Sequence, residues 1–175
     1  FSRKVESIPR PVDLNHEVSR FSKLLESTIP KMIGIEMRLA DDLKITNVDP
    51  AQLEQIMMNL GLNAKDAMPD GGKLIFQTEN VTLDKQFCKP FEIKPGNYVL
   101  LSISDTGCGM DAKTVEHIFE PFYTTKGTGK GTGLGLSIVY GIVKSHGGHI
   151  ICCSEPGQGT IFRIYFPVMG TEIRK

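Results

Sequence analysis

The chain has no tryptophan, only four cysteines in 175 residues, no excess of either charge and no long apolar run. Each of these absences excludes something. Lys plus Arg and Asp plus Glu both total 20, so the overall basic excess that draws a protein to nucleic acid or an anionic membrane surface is missing. Cys88, Cys108, Cys152 and Cys153 lack the C-x-x-C spacing of zinc sites, and strand neighbours such as Cys152 and Cys153 point to opposite faces. They read as reduced thiols of a cytoplasmic protein. No segment approaches the roughly 18 apolar residues a membrane span needs, and the N-terminus has no signal-peptide pattern, so the chain reads as soluble. What is present is enough apolar material, 40% of residues, for one core of ordinary size.

The start, "FSRKVESIPRPV", is broken by Pro9 and Pro11 and reads as the frayed end of another element followed by a linker. Val18, Phe21, Leu24, Leu25 and Ile29 recur at helical spacing between about Leu14 and Pro30. "IGIEMRLADDLKITNVD" alternates on either side of Asp41 and Asp42, which predicts two short strands paired with each other. A second helix is expected from Pro50, capped by Asp49 and striped by Leu53, Ile56, Met57 and Leu60, ending at "PDGG". "KLIFQTENVTL" and "GNYVLLSISDTG" read as strands, with "DKQFCKPFEIKPG" as a connecting loop. A short helix near Asp111–Phe119, a glycine-rich lid, a helix through Val139, Ile142 and Val143, and a closing hairpin around "PGQG" complete the chain. Strands and helices that do not strictly alternate imply an α/β (α+β) two-layer sandwich, one mixed β-sheet with helices on one face.

Three clusters carry chemistry. On the second helix Asn59, Asn63 and Asp66, at i, i+4 and i+7, share a face beside the Met57 and Leu60 stripe. They fit a solvated polar face, but such faces usually collect Lys, Glu and Arg, whereas neutral amides offer oxygens suited to a hard cation such as Mg²⁺. "SDTGCGM" ends an apolar strand with a carboxylate, Asp105, able to accept from an exocyclic amine, and with Gly107 and Gly109, which would let a flat ligand approach; an ordinary tight turn explains the pattern about as well. "TTKGTGKGTGLGLS" puts glycines at 127, 129, 131, 133 and 135, with Lys126 and Lys130, before an apolar helix. That is either a flexible linker or a phosphate-binding helix N-terminus. It matches neither the Walker A nor the G-x-G-x-x-G register.

The order amide helix, strand with D-x-G-x-G, "IFEPFYTTK" and glycine lid closely resembles the N, G1, F and G2 boxes of the ATP-binding domain of sensor histidine kinases. That domain shares a superfamily with gyrase, the mismatch-repair ATPases and heat-shock chaperones. The resemblance covers roughly Val12 to Pro167, and "GTGLGLSIVYGIVKSHGGHI" is especially similar to the hybrid and nitrogen-regulatory types. It implies a Bergerat ATP-binding fold, ATP and Mg²⁺ as cofactors, and division into 1–11 (end of a dimerisation hairpin and linker), 12–169 (ATP-binding catalytic domain) and 170–175 (tail). It implies an oxygen from Asn63 to Mg²⁺, Asn59 on the phosphate side, Asp66 deeper near the base with Ala67, and Asp105 on the adenine amine. Gly107, Gly109 and Met110 would lie along the ring, with Thr160 in a water-linked contact. Lys126 and Lys130, with Gly131, Thr132, Gly133, Leu134, Gly135 and Leu136, would hold the triphosphate, and the catalytic set would be Asn59, Asn63 and Lys126. Phe119 and Phe122 would anchor the lid, pack on the preceding domain or lie in the core.

Two departures matter. ATP-hydrolysing members of the superfamily carry a Glu four residues before the metal-binding Asn; here that position is Asn59, and an amide cannot be a general base. This favours phosphoryl transfer to an imidazole, already a nucleophile. The phosphoacceptor itself is expected elsewhere: His16 lies only 47 residues before Asn63, inside the nucleotide domain. The expected partners are the dimerisation and phosphoacceptor domain of the same kinase and a downstream response regulator or receiver domain, with no nucleic acid. This chain is expected to be a monomer from a homodimeric, cytoplasmic or membrane-anchored parent.

Overall fold

The computed structural model describes residues 6–125 and 133–170. Its elements run β1 (Arg10–Val12), α1 (Leu14–Glu26), β2 (Ile33–Arg38), β3 (Thr46–Val48), α2 (Pro50–Ala67), β4 (Gly72–Leu83) and α3 (Lys85–Cys88), with a 3-10 turn at Lys89–Phe91. Then follow β5 (Gly96–Asp105), α4 (Ala112–His117), α5 (Gly135–Ser145), β6 (His149–Ser154) and β7 (Thr160–Pro167). The main sheet has the order β2-β4-β5-β7-β6; β2 is parallel to β4 and the other pairs are antiparallel. The mixed sheet backed by helices is the expected fold class.

Local chemistry places the helices. Asp13 caps α1 by accepting the Asn15 N–H at 2.9 Å, and Asp49 caps α2 by accepting from Ala51 at 2.9 Å, with Pro50 at the first helical position. Val18, Phe21 and Leu25 of α1, Leu53, Ile56, Met57 and Leu60 of α2, and Val139, Ile142 and Val143 of α5 share one core with Leu74, Phe76, Leu101, Ile103 and Ile164 of the sheet. Strand alternation sends Val99, Leu101 and Ile103 to that core and Tyr98 and Leu100 to the opposite face.

The opposite face is not bare. The segment read as a connecting loop folds back over it, so that Cys88 and Ile93 cluster with Leu83, Tyr98, Leu100 and Tyr165. A four-residue helix and one 3-10 turn are too short to show a period, which is why this cover was invisible in the sequence. Phe91 lies 4.8 Å from the His149 ring, and Lys144 Nζ meets His149 Nδ1 at 2.8 Å. Burial, followed by the Lys144 charge, drives the His149 pKa down to about 4. All four cysteines are free, and burial pushes the Cys152 thiol up to about 12.

Two expectations are corrected. β2 and β3 do not pair with each other: β2 runs parallel to β4, and β3 is antiparallel to β1, with Pro11 opposite Asn47. Alternation shows that a segment is a strand but not which neighbour holds it. The proline-bearing start is therefore partly a strand, tolerated because it lies at the edge of a two-stranded sheet, and among the described residues the first regular element is β1 at Arg10–Val12. Upstream, the Ile8 N–H reaches the Asp49 carboxylate at 2.9 Å, and the Asp49 N–H meets His146 Nε2 at 3.1 Å. The α2 cap thus also ties in the first segment and the end of α5.

Candidate active site

Where α2, the C-terminal end of β5, the start of β7 and the beginning of α5 converge, the surface opens into a pocket of about 500 Å³, a size typical of small-molecule sites. Asn59, Asn63, Asp66 and Ala67 of α2 line it, as do Asp105, Gly109, Met110, Thr160, Gly133, Gly135 and Leu136. The amide face of α2 is thus turned to a cavity while the apolar stripe one step around the helix is in the core. Asp66 lines the pocket nearly one turn beyond Asn63 on the same face of α2, with 42% of its side chain exposed. The two amides differ. Asn59 Nδ2 donates to the Gly135 carbonyl at 3.2 Å and so ties α2 to the start of α5. Among the described residues Asn63 makes no side-chain hydrogen bond.

The Asp105 end is held by a dense set of bonds. Asp105 Oδ1 accepts the Gly107 N–H at 2.8 Å, the Cys108 N–H donates to the Ala67 carbonyl at 3.0 Å, and the Gly157 N–H donates to the Cys108 carbonyl at 2.7 Å. Thr106 Oγ1 accepts from the Lys73 N–H at 3.0 Å, and the Met110 N–H reaches Ser154 Oγ at 2.8 Å. Gly109 has φ +69°, and a Cβ there would drive into the Glu155 carbonyl, so only glycine fits. Burial raises the Asp105 pKa, and the N–H groups of Gly107 and Thr160 only partly offset it. This wall presents the Asp105 carboxylate and the Thr160 hydroxyl, register partners on adjacent strands.

At the other end Gly133, φ +71°, packs against the Phe122 backbone, and the Phe122 N–H donates to its carbonyl at 2.8 Å. Phe122 is 74% exposed and itself has φ +68°. Phe119 instead packs inward, 5.4 Å from the Tyr140 ring and 6.4 Å from Phe162. Leu134 caps α5, its carbonyl taking the Ile138 N–H at 2.9 Å. It does not line the pocket, and Gly107 packs behind it. Lys126, Lys130, Gly131 and Thr132 lie outside the described residues. Sequence reasoning missed Leu62, Lys65, Cys108, Thr114, Ile118, Tyr123, Thr124, Thr125 and Phe162, all of which line the pocket. Three had a signal: Leu62 lies at i+3 from Asn59, Cys108 sits within the D-x-G-x-G turn, and Phe162 shares the Thr160 face two residues along a strand.

The family described as histidine kinase-, DNA gyrase B- and HSP90-like ATPase matches residues 48–170. The chain belongs to that family. It is 42% identical over 175 residues to the sensor kinase CckA of Brucella abortus, covering 99% of this chain and 18% of that protein. Over 92% of this chain and 96% of the other, it superposes on the catalytic domain of histidine kinase ThkA with a TM-score of 0.74 at 28% identity. Full-length ShkA in complex with AMPPNP gives a TM-score of 0.75 at 26% identity, over 95% of this chain and 32% of ShkA. The chain spans 18%, 22% and 32% of the first curated relatives it matches. The resemblance to the sensor histidine kinase catalytic domain is thereby borne out.

Among the described residues no group of three His, Cys, Asp or Glu could hold a metal ion. Mg²⁺ takes oxygen ligands and shares them with waters and substrate phosphates, and Asn63, which lines the pocket and makes no side-chain hydrogen bond among the described residues, has an amide oxygen available for that role.

Proposed function

We propose that this chain is the ATP·Mg²⁺-binding catalytic module of a two-component sensor kinase, which in its parent transfers the γ-phosphoryl group of ATP to a histidine on a separate helical domain. The observation that carries it is the meeting, in one pocket, of an acceptor wall at Asp105 and Thr160 with the amide face of α2 and the N-terminus of α5. In this reading Asp105 accepts from the adenine amine and Thr160 supports it, Gly109 and Met110 flank the ring, and Asp66 and Ala67 border the base. Asn63 lends its oxygen to Mg²⁺, which neutralises phosphate charge and orients the transferred group. Asn59, anchored to Gly135, keeps the start of α5, with Gly133 and Leu136, beside the phosphates, where its N–H groups favour an anion. Roles for Lys126, Lys130, Gly131 and Thr132 rest on sequence alone.

An imidazole nitrogen of the partner domain attacks the γ-phosphorus, the bond to the bridging oxygen breaks, and ADP leaves with the electron pair. No base on this chain is needed to create that nucleophile, in keeping with an amide at position 59. The helical hairpin of the parent and a response regulator are the proposed partners; a complex of ThkA with the response regulator TrrA supports the second. No described helix is long and apolar enough to cross a membrane, which accords with a cytoplasmic position for this part of the parent.

Isothermal titration with AMPPNP and Mg²⁺ tests the reading. Binding is expected, and it should be lost or strongly weakened by Asp105→Ala and Asn63→Ala; no binding by the wild-type chain overturns it. Steady ATP hydrolysis by the isolated chain at about one turnover per second or more would instead favour a gyrase- or chaperone-type ATPase. With the parent hairpin added in trans, phosphohistidine should form; binding without it would leave a nucleotide-sensing module.

A further inference from the structure

Ser154 is the last residue of β6, and nothing in the ATP-binding reading uses it. Its hydroxyl sits at the centre of three bonds: the Met110 N–H donates to Ser154 Oγ at 2.8 Å, Ser154 Oγ donates to the Gly159 carbonyl at 3.0 Å, and Ser154 Oγ lies 2.8 Å from Thr160 Oγ1. A serine hydroxyl has one proton and two lone pairs. With the proton on Gly159 and one lone pair on Met110, the remaining lone pair faces Thr160. The Ser154–Thr160 contact lets either hydroxyl donate; in the arrangement that also keeps the Gly159 bond, the Thr160 proton points at Ser154. That orientation leaves Thr160, which is buried and lines the pocket, only lone pairs for a ligand.

From this, we infer that Ser154 is a positioning residue that sets base specificity, by locking Thr160 as a pure acceptor next to the Asp105 carboxylate. The inference rests on the reading of the pocket as a nucleotide site and names what that reading leaves open: how the wall rejects a 6-oxopurine. Asp105 and Thr160 are opposite each other in the register of β5 and β7. Two acceptors side by side match an exocyclic amine, which carries two N–H donors, directly or through a water. A 6-oxo group in the same place brings a third acceptor and leaves buried lone pairs facing one another, a mismatch that hydrogen-bonding sites punish far more than a change in size. A threonine free to rotate would turn its proton toward that oxygen and accept guanine. Ser154 removes that freedom, and by holding the Met110 N–H it also fixes the turn on which the ring rests.

The test compares AMPPNP with GMPPNP, each with Mg²⁺, by titration against the 175-residue chain. The wild-type chain is expected to prefer AMPPNP. Ser154→Ala should shrink that preference by about ten- to hundredfold, chiefly through tighter GMPPNP binding, while Ser154→Thr, which keeps the hydroxyl, should retain it. A merely structural role for Ser154 would weaken both nucleotides together and leave their ratio unchanged, and that result overturns the inference. If Ser154→Ala does not fold, Thr160→Val replaces it: removal of the acceptor should erode the preference, and an unchanged ratio again overturns the inference. A wild-type chain that binds neither nucleotide sinks the nucleotide reading and this inference with it. A wild-type chain with the expected preference that Ser154→Ala leaves intact sinks this inference alone.

Discussion

The two ends of the pocket are built differently. At the Asp105 end the 105–110 turn is tied to protein at several points: Gly107 to Asp105, Cys108 to Ala67, Gly157 to Cys108 and Met110 to Ser154. At the α2 and α5 end the Asn59 side chain bonds the Gly135 carbonyl across the two helices, and Asn63 makes no side-chain hydrogen bond among the described residues. The difference teaches where recognition is preformed. A base is a rigid, neutral object that a fixed wall can match, with no ordering cost left at binding. A triphosphate and its cation bring their own charge, and groups held ready for them stay unpaired until the ligand arrives.

If the Asp105 end is the rigid one, substitutions there should damage the fold or the whole affinity. The largest effect is expected of Gly109→Ala, whose Cβ meets the Glu155 carbonyl in a left-handed backbone; a loss of about 2–4 kcal/mol should show in urea or thermal unfolding. Asp105→Asn keeps the shape but exchanges one acceptor for a donor. It should cost AMPPNP about 10- to 100-fold in affinity, with and without Mg²⁺. Asn63→Ala should behave in the opposite way, leaving affinity in EDTA nearly unchanged and removing most of the gain that Mg²⁺ gives, roughly five- to tenfold. Equal losses for Asp105→Asn and Asn63→Ala under both conditions would abolish the proposed division between the ends. Asn59→Ala, which removes the Asn59–Gly135 bond between α2 and the start of α5, should lower stability by about 1 kcal/mol, and hydrogen exchange should rise first at the start of α5.

The smallest effect concerns pH and the far side of the molecule. His149 is held neutral to a pKa of about 4, so across the interval between that value and its ordinary value near 6.5 the unfolded chain binds a proton that the folded chain refuses. Its contribution is complete above the upper limit and lost as the pH falls to the lower one. Thermal melts across that interval should therefore fall less steeply for His149→Gln than for wild type. Asp49 acts lower still: burial would raise its pKa, but the N–H groups of Ile8, Ala51 and Gln52 outweigh it and hold it below the usual carboxylate range. Its contribution should persist through mild acid and vanish only below that range.

Much of this was legible in the residues. The caps at Asp13 and Asp49, the alternation of β4 and β5 and the helical stripes of α1, α2 and α5 are local signals, and each element formed as its own sequence demands. The N59/N63/D66 face and the D-x-G-x-G turn were readable because a polar residue on a helix or strand that ought to be buried has few explanations. Pairing was not readable: β2 and β3 alternate well, yet one joins β4 in parallel and the other meets the proline-bearing β1. The pocket lining at Thr114, Ile118 and residues 123–125 was also silent, since those side chains have no period and gain meaning only from what the chain folds against.

By itself, then, the sequence determined the longer helices and strands, though not β1 or the short helical turns at 85–91, which faces are polar, and that position 59 holds an amide where the resemblance implies a carboxylate in hydrolysing members of the superfamily. Periodicity, capping and residue chemistry are all written within a few residues of one another. Only the tertiary structure decided that Asn59 is bound to Gly135 and that Ser154 sits at the hub of the Met110, Gly159 and Thr160 bonds. Those facts join residues from different elements, and hydrogen-bond partners are settled only when all the neighbours are in place.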